Sequence, residues 1–126
     1  MWGDFMAKYF SEEEMVCKCC GKGWDIINPI LLESLDKLRE KYGKPIYVSN
    51  AYRCPNHNLE VGSFPGSQHE LGNAADIYVD GDYNEFYVFV LNSKLFDGVG
   101  YYPDDEFVHV DVRSGGTEPN GYWWCG

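Results

Sequence analysis

Apolar and polar positions change rhythm several times along the chain, and each rhythm predicts an element. From Asn28 onward, Ile30, Leu31, Leu35 and Leu38 recur at helical spacing with charged residues between them. That pattern predicts an amphipathic helix, opened by Asn28 as N-cap with Pro29 at its first position, running to about Tyr42 and stopped by Gly43. Ahead of it, Ser11 followed by Glu12, Glu13 and Glu14 predicts a short helix. The hydroxyl caps the first turn and the carboxylates sit at the positive end of the helix dipole. Residues 17–23 end that helix.

The rhythm then becomes that of strands. Pro45-Ile46-Tyr47-Val48-Ser49 is β-branched and aromatic between turn formers, which predicts a short buried strand. Residues 74–79, 97–102 and 107–112 predict three more, the last two joined as a hairpin through Pro103-Asp104-Asp105. A helix over residues 83–92 follows the turn Asp80-Gly81-Asp82. Residues 50–68, rich in Asn, Pro, Gly and Ser, read as one long loop, and a loop of that length in a small domain is more often functional than idle. The order α, α, β, β, α, β, β, undivided by repeat or linker, predicts an α+β fold with a small, mainly antiparallel sheet packed with helices. One domain is expected over residues 1–126, with its core at about 10–113 and an aromatic tail at 114–126.

Alternation also sorts the chemistry. In a strand over 107–112, Phe107, His109 and Asp111 point one way and Val108, Val110 and Val112 the other, which makes the valine face the core. By the same rule Asp76 shares a face with Ala74 and Tyr78, opposite Ala75, Ile77 and Val79. If these two strands are neighbours, Asp76 and His109 stand with Cβ atoms about 5 Å apart, close enough to share a metal ion. His69, seven residues ahead of Asp76, can fold back through a turn at Gly72 as a third ligand. Two imidazoles and a carboxylate leave zinc a fourth position for water, the arrangement of a catalytic site. The alternative on spacing alone is a hydrogen-bonded His–Asp pair without metal.

Composition narrows the partners. Twenty acidic and ten basic residues give a net charge of -10, which repels phosphate backbones and anionic lipid alike, so nucleic acid is not an expected partner. No run approaches the ~18 apolar residues of a membrane span, and the first residues lack the basic and apolar segments of an export signal. The expectation is a protein made in the cytoplasm and released to its substrate by other means, or one whose leader has been removed. Cys17, Cys19, Cys20, Cys54 and Cys125 are an odd number, a poor basis for a disulfide framework. Cys17-Lys18-Cys19-Cys20 could be half of a structural zinc site, but no second Cys or His pair at matching spacing completes it. Unligated thiols are therefore expected there.

Three separated motifs resemble one known family. Ser67-Gln68-His69-Glu70-Leu71-Gly72-Asn73-Ala74-Ala75-Asp76 resembles the Ser-x-His-x-x-Gly-x-Ala-x-Asp signature of the zinc D-alanyl-D-alanine and L-alanyl-D-glutamate peptidases, whose fold is shared with the signalling domain of hedgehog. Phe107-Val108-His109-Val110-Asp111 is similar to that family's third-ligand strand, and Ser49-Asn50-Ala51-Tyr52-Arg53 to its Ser-x-Tyr-Arg segment. The resemblance implies one catalytic Zn2+ held by His69, Asp76 and His109. It also implies Arg53 near the scissile carbonyl, stabilising the oxyanion or holding a substrate carboxylate, and Ser67 hydrogen-bonded to substrate.

Relatives carry an acidic general base three residues before the last ligand, here Glu106. A continuous strand would turn Glu106 away from His109, so the role requires a turn or a bulge at that position. Asp111, on the ligand face, is the other candidate, expected to orient an imidazole or bind a substrate group. Phe107 stands where some members have a second His, and His57 is read as a loop residue. The implied reaction is hydrolysis next to a D-amino acid in the peptidoglycan stem peptide by a monomeric enzyme, in the setting of phage or prophage lysis. The alternative is a non-catalytic zinc-containing binding module of the same fold. Trp123 and Trp124 in the tail either stack on sugar rings or pack back on the sheet to finish the core.

Overall fold

The computed structural model describes residues 8–62 and 67–126. Helix α1, Glu12–Met15, is closed by a capping box in which Ser11 and Glu14 each bond the other's backbone amide. Helix α2, Pro29–Tyr42, starts where Asn28 Oδ1 accepts from the Ile30 amide at 2.9 Å and ends at Gly43 with φ 72°, a left-handed stop that favours glycine. Its buried stripe is Leu31, Leu32, Leu35 and Leu38, whereas Ile30, expected in that stripe, is 40% exposed. Pro29 and Ile30 face solvent, and the buried stripe begins one residue later, at Leu31.

Strand β1, Tyr47–Asn50, is followed by helix α3, Pro55–Glu60, inside the segment expected to be all loop. Its cap is Cys54, whose sulfur accepts from the His57 amide at 3.5 Å. Cysteine is not among the residues that announce a helix start, and the Asn- and Pro-rich composition pointed to loop. The expectation for residues 63–66 lies outside the described residues. Next come β2, Ala74–Tyr78, α4, Tyr83–Ser93, β3, Gly98–Tyr102, and β4, Phe107–Asp111. The tail then adds β5, Tyr122–Cys125.

The five strands form one sheet in the order β1-β2-β4-β3-β5. Every pairing is antiparallel except the last, where β5 runs parallel to β3. The expected mainly antiparallel sheet is therefore present and carries one parallel edge. On its inner face Ala75, Ile77, Val99, Val108 and Val110 meet the leucines of α2 and Phe86 and Val90 of α4, all fully buried. Burial of side chains of this size stabilises by about 1.5–3 kcal/mol each, and it fixes which face is left for chemistry.

Of the two alternatives for the tail tryptophans, packing back to finish the core is not what β5 does. Trp123 is 63% exposed, and Trp124 lies on the opposite face from the core, with Gly100 as its register partner. The tail is held by Asp97, which is fully buried and accepts from the amides of Ser114, Gly116 and Glu118 at 2.8–2.9 Å. Three amides converging on one carboxylate are strong charge-assisted bonds, so the turn that leads into β5 is fastened before the strand begins. Among the described residues no helix is long and apolar enough to cross a membrane.

Candidate active site

The register of β2 and β4 sets Asp76 directly opposite His109 and Ala74 opposite Asp111. His69 joins them through the turn before β2, closed by a bond from the Gly72 amide to the His69 carbonyl at 3.2 Å. Gly72 has φ +79°, and a Cβ there would come within 2.3 Å of the Ile26 carbonyl oxygen, so the turn needs glycine.

His69 Nε2 and His109 Nδ1 each lie 3.2 Å from the same atom, Asp76 Oδ1. Each ring's other nitrogen is already committed. His69 Nδ1 donates to the Ala51 carbonyl at 2.7 Å, and His109 Nε2 lies 2.8 Å from Asp111 Oδ2. Since a carbonyl can only accept, His69 carries its proton on Nδ1 and presents a lone pair on Nε2; the Asp111 carboxylate selects the matching tautomer of His109. All three residues are more than nine-tenths buried.

Burial works against a charged Asp76, but its contacts with the His109 and His69 rings outweigh it and hold the carboxyl well below the usual carboxylate range. Burial likewise opposes a charged His109, and the bonds to Asp111 and Asp76 outweigh it and raise its pKa. In a tetrahedral zinc site with nitrogen and oxygen ligands the ligand atoms stand about 3.3–3.4 Å apart. The observed 3.2 Å separations and the two-imidazole, one-carboxylate set fit that ion.

Asp111 faces the His109 ring and the Arg113 guanidinium. It is fully buried, with Oδ2 bonded to His109 Nε2 and to Arg113 Nη2 at 2.7 Å, and Oδ1 to Arg113 Nε at 2.9 Å. Of the two roles expected for it, orienting His109 is the one these contacts support. Its neighbour across the sheet is Gly98, where a Cβ would come within 2.2 Å of Asp111 Oδ2. Gly100, opposite His109, plays the same part for Trp124, whose ring a Cβ would meet at 2.6 Å. The bare strand lets the Trp124 ring approach His109, with centroids 5.2 Å apart. The Trp124 indole N–H donates to the Tyr102 hydroxyl at 2.7 Å, and the Arg113 guanidinium lies over Tyr122 and Trp124. Arg113 and Trp124 were not expected at the site. The signal was the pair Gly98 and Gly100 on one strand face, since glycine inside a strand marks close approach by another group.

Arg53 follows β1, tied by its amide to the His69 carbonyl at 3.2 Å. Its Nε is buried with no hydrogen-bond partner among the described residues. Burial lowers the Arg53 pKa, against the attraction of Asp76. A buried guanidinium N–H left unsatisfied beside the His–Asp–His group is a donor in want of an acceptor. Ser67 Oγ instead donates to Asn58 Oδ1 at 2.8 Å and accepts from the Glu70 amide at 3.4 Å, so its hydroxyl proton is engaged within the protein.

Glu106 occupies the exposed β3–β4 turn at φ 59°, so the turn its expected role requires is present. It lies outside the His69, Asp76 and His109 group, and its carboxylate adds to the burial that raises the pKa of Tyr83 at the start of α4. His57 lies in α3, with Nδ1 4.0 Å from Glu60 Oε1.

Residues 8–111 match the model of the family described as Peptidase M15. The chain belongs to the peptidase M15 family. Its curated relatives include the peptidoglycan L,D-endopeptidase MepK of Escherichia coli K12, 32% identical over 104 residues that cover 77% of this chain and 54% of that protein. MepK of Escherichia coli O157:H7 and of Shigella flexneri match to the same extent. The chain spans about half the length of these relatives. Within this M15 chain the matched residues contain the His–Asp–His group, Arg53 and Asp111, whereas Arg113 and the whole of β5 lie beyond them.

Proposed function

We propose that this M15 chain is a zinc endopeptidase that hydrolyses a peptide bond next to a D-amino acid in the stem peptides of peptidoglycan. One observation carries the reading: two imidazoles with fixed outer nitrogens present their inner nitrogens to a single carboxylate oxygen, each at 3.2 Å. His69 Nε2, Asp76 and His109 Nδ1 would hold the ion. When bound, zinc supplies a Lewis acid that polarises a carbonyl and acidifies water.

The remaining roles belong to the chain. Arg53, with its unsatisfied Nε, receives the negative charge that develops on the carbonyl oxygen, or a carboxylate of the stem peptide. Asp111 keeps the His109 proton on Nε2, and Arg113 in turn holds Asp111. We assign proton acceptance to Glu106 because the resemblance puts an acid three residues before the last ligand and because its turn is open to solvent. The Trp124 ring shields one side of His109 from water. The endopeptidase reading and the peptidoglycan substrate are carried over from the L,D-endopeptidase relatives.

The test is mass spectrometry of muropeptides after digestion of purified peptidoglycan by the zinc-loaded protein. New stem-peptide termini on either side of one bond are expected, with none from His109→Ala. Intact muropeptides in the presence of fully zinc-loaded protein would instead identify a binding module of the same fold.

A further inference from the structure

We propose that Cys17, Cys19, Cys20 and Cys54 form a second metal site, a structural zinc centre of four thiolates that fastens the loop after α1 to the segment carrying Arg53. Their sulfurs all lie within 4.8 Å of one another, with Cys19 and Cys54 at 3.3 Å. In a tetrahedral site with zinc–sulfur bonds of about 2.3 Å, sulfurs stand about 3.8 Å apart, within the spread seen here. Tetrahedral sulfur sets are the preference of zinc and iron among common metals, and zinc needs no redox partner.

The surroundings are built as a metal-binding turn. The loop closes on itself through the Gly21 amide to the Cys17 carbonyl at 2.8 Å and the Cys17 amide to the Lys22 carbonyl at 2.9 Å. The Cys54 amide donates to Cys17 Sγ at 3.4 Å. Backbone N–H groups around a ligand sulfur orient it and stabilise the thiolate that a metal requires. Lys18 and Lys22, on the same exposed loop, offset the excess negative charge of four thiolates around a dication.

A disulfide accounts for less of this arrangement. A Cys19–Cys54 bond would use two sulfurs and leave Cys17 and Cys20 converging on the same point with nothing to bind. Cys125, on β5, is outside the group and explains the odd cysteine count.

The centre would act on the peptidase site through a short stretch of chain. Tyr52 bonds the Met15 carbonyl through its amide at 3.1 Å and packs so closely over Gly23 that a Cβ there would fall 2.1 Å from its ring. The next residue is Arg53, and Ala51 accepts the His69 Nδ1 proton. A metal at the cysteines would thus hold the segment 51–54 against the loop on one side and the His–Asp–His group on the other.

The test is cobalt(II) titration of the full chain carrying His69→Ala and His109→Ala, beside wild type and Cys19→Ser/Cys20→Ser. One cobalt per chain in the histidine variant, with intense thiolate-to-metal absorption in the near ultraviolet that zinc abolishes, is the expected result. Wild type should bind two metals. The cysteine variant should lose the thiolate band, keep one metal and melt at a lower temperature. Should that variant fail to fold, the spectrum of the cysteine-intact chains decides. No thiolate band in wild type and the histidine variant, or an intact mass two hydrogens light that maps to Cys19–Cys54, would overturn the proposal. Wild type binding one metal with a thiolate band would uphold this centre and sink the peptidase site; one metal without that band would do the reverse.

Discussion

Two groups of side chains that could hold a metal ion flank residues 51–53, and they are built on opposite plans. The His–Asp–His group is placed by a sheet: two of its members are register partners on β2 and β4, and all three are buried. The cysteine group is placed by loops, with three members in one turn, a fourth from beyond β1, and Cys19 and Cys20 exposed. A site on paired strands keeps its geometry whether or not an ion is present. A site on loops depends on the ion for its order, so metal should contribute stability at the cysteines and chemistry at the histidines.

The contrast can be broken most sharply at His109. His109→Ala should lower peptidoglycan hydrolysis by about 10⁴-fold or more, because carbonyl polarisation and water activation are lost together, while thermal stability of the zinc-loaded protein changes less than in Cys54→Ser. Steady-state assays beside calorimetry read both quantities. Equal activity loss and equal destabilisation in the two variants would erase the distinction.

Arg53 comes next, as the link between the two groups. Removing one donor to a developing oxyanion costs about 10²–10³ in kcat, so Arg53→Ala should show that loss with zinc content unchanged. A loss confined to KM would make Arg53 a binder of ground-state carboxylate only.

A smaller effect is expected at Asp111, which orients His109 without touching the metal position. Asp111→Asn should weaken zinc binding by about 10–100-fold in competition with a chelator and leave activity measurable at saturating zinc. Complete loss of activity at saturating zinc would mean that Asp111 does more than hold the ring.

The smallest effect is one of pH. In metal-free protein the raised pKa of His109 contributes stability that is fully present below the unfolded value of about 6.5 and is lost as pH rises through the higher folded value. Zinc needs the neutral imidazole, so the loaded protein should gain stability across the same window. Denaturation midpoints with and without chelator should therefore slope in opposite directions above about pH 6.5. Parallel slopes would place the metal elsewhere.

What could be read from the residues follows the same division. Alternation in 74–79 and 107–112 separated the valine face from the acid-and-imidazole face, because strand period is a local property and both segments are long enough to display it. The helix over Pro29–Tyr42 was legible from its cap and its glycine stop, although its stripe begins at Leu31 rather than Ile30. Features that depend on chain closure were not legible. Cys54 completes the cysteine group from 34 residues after Cys20, a separation without the paired spacing of familiar zinc motifs. Helix α3 was hidden by a cysteine cap, and β5 by a glycine-rich approach whose anchor, Asp97, lies on the far side of a hairpin. Trp124 could have been inferred only through the space that Gly100 leaves.

Anomalous diffraction at the zinc edge from crystals of the full chain addresses the sheet-borne site most directly. A peak bounded by His69 Nε2, Asp76 Oδ1 and His109 Nδ1, at about 2.0–2.2 Å from each, is the predicted result. Zinc-soaked crystals with no peak there, and both imidazoles bonded straight to Asp76, would contradict it.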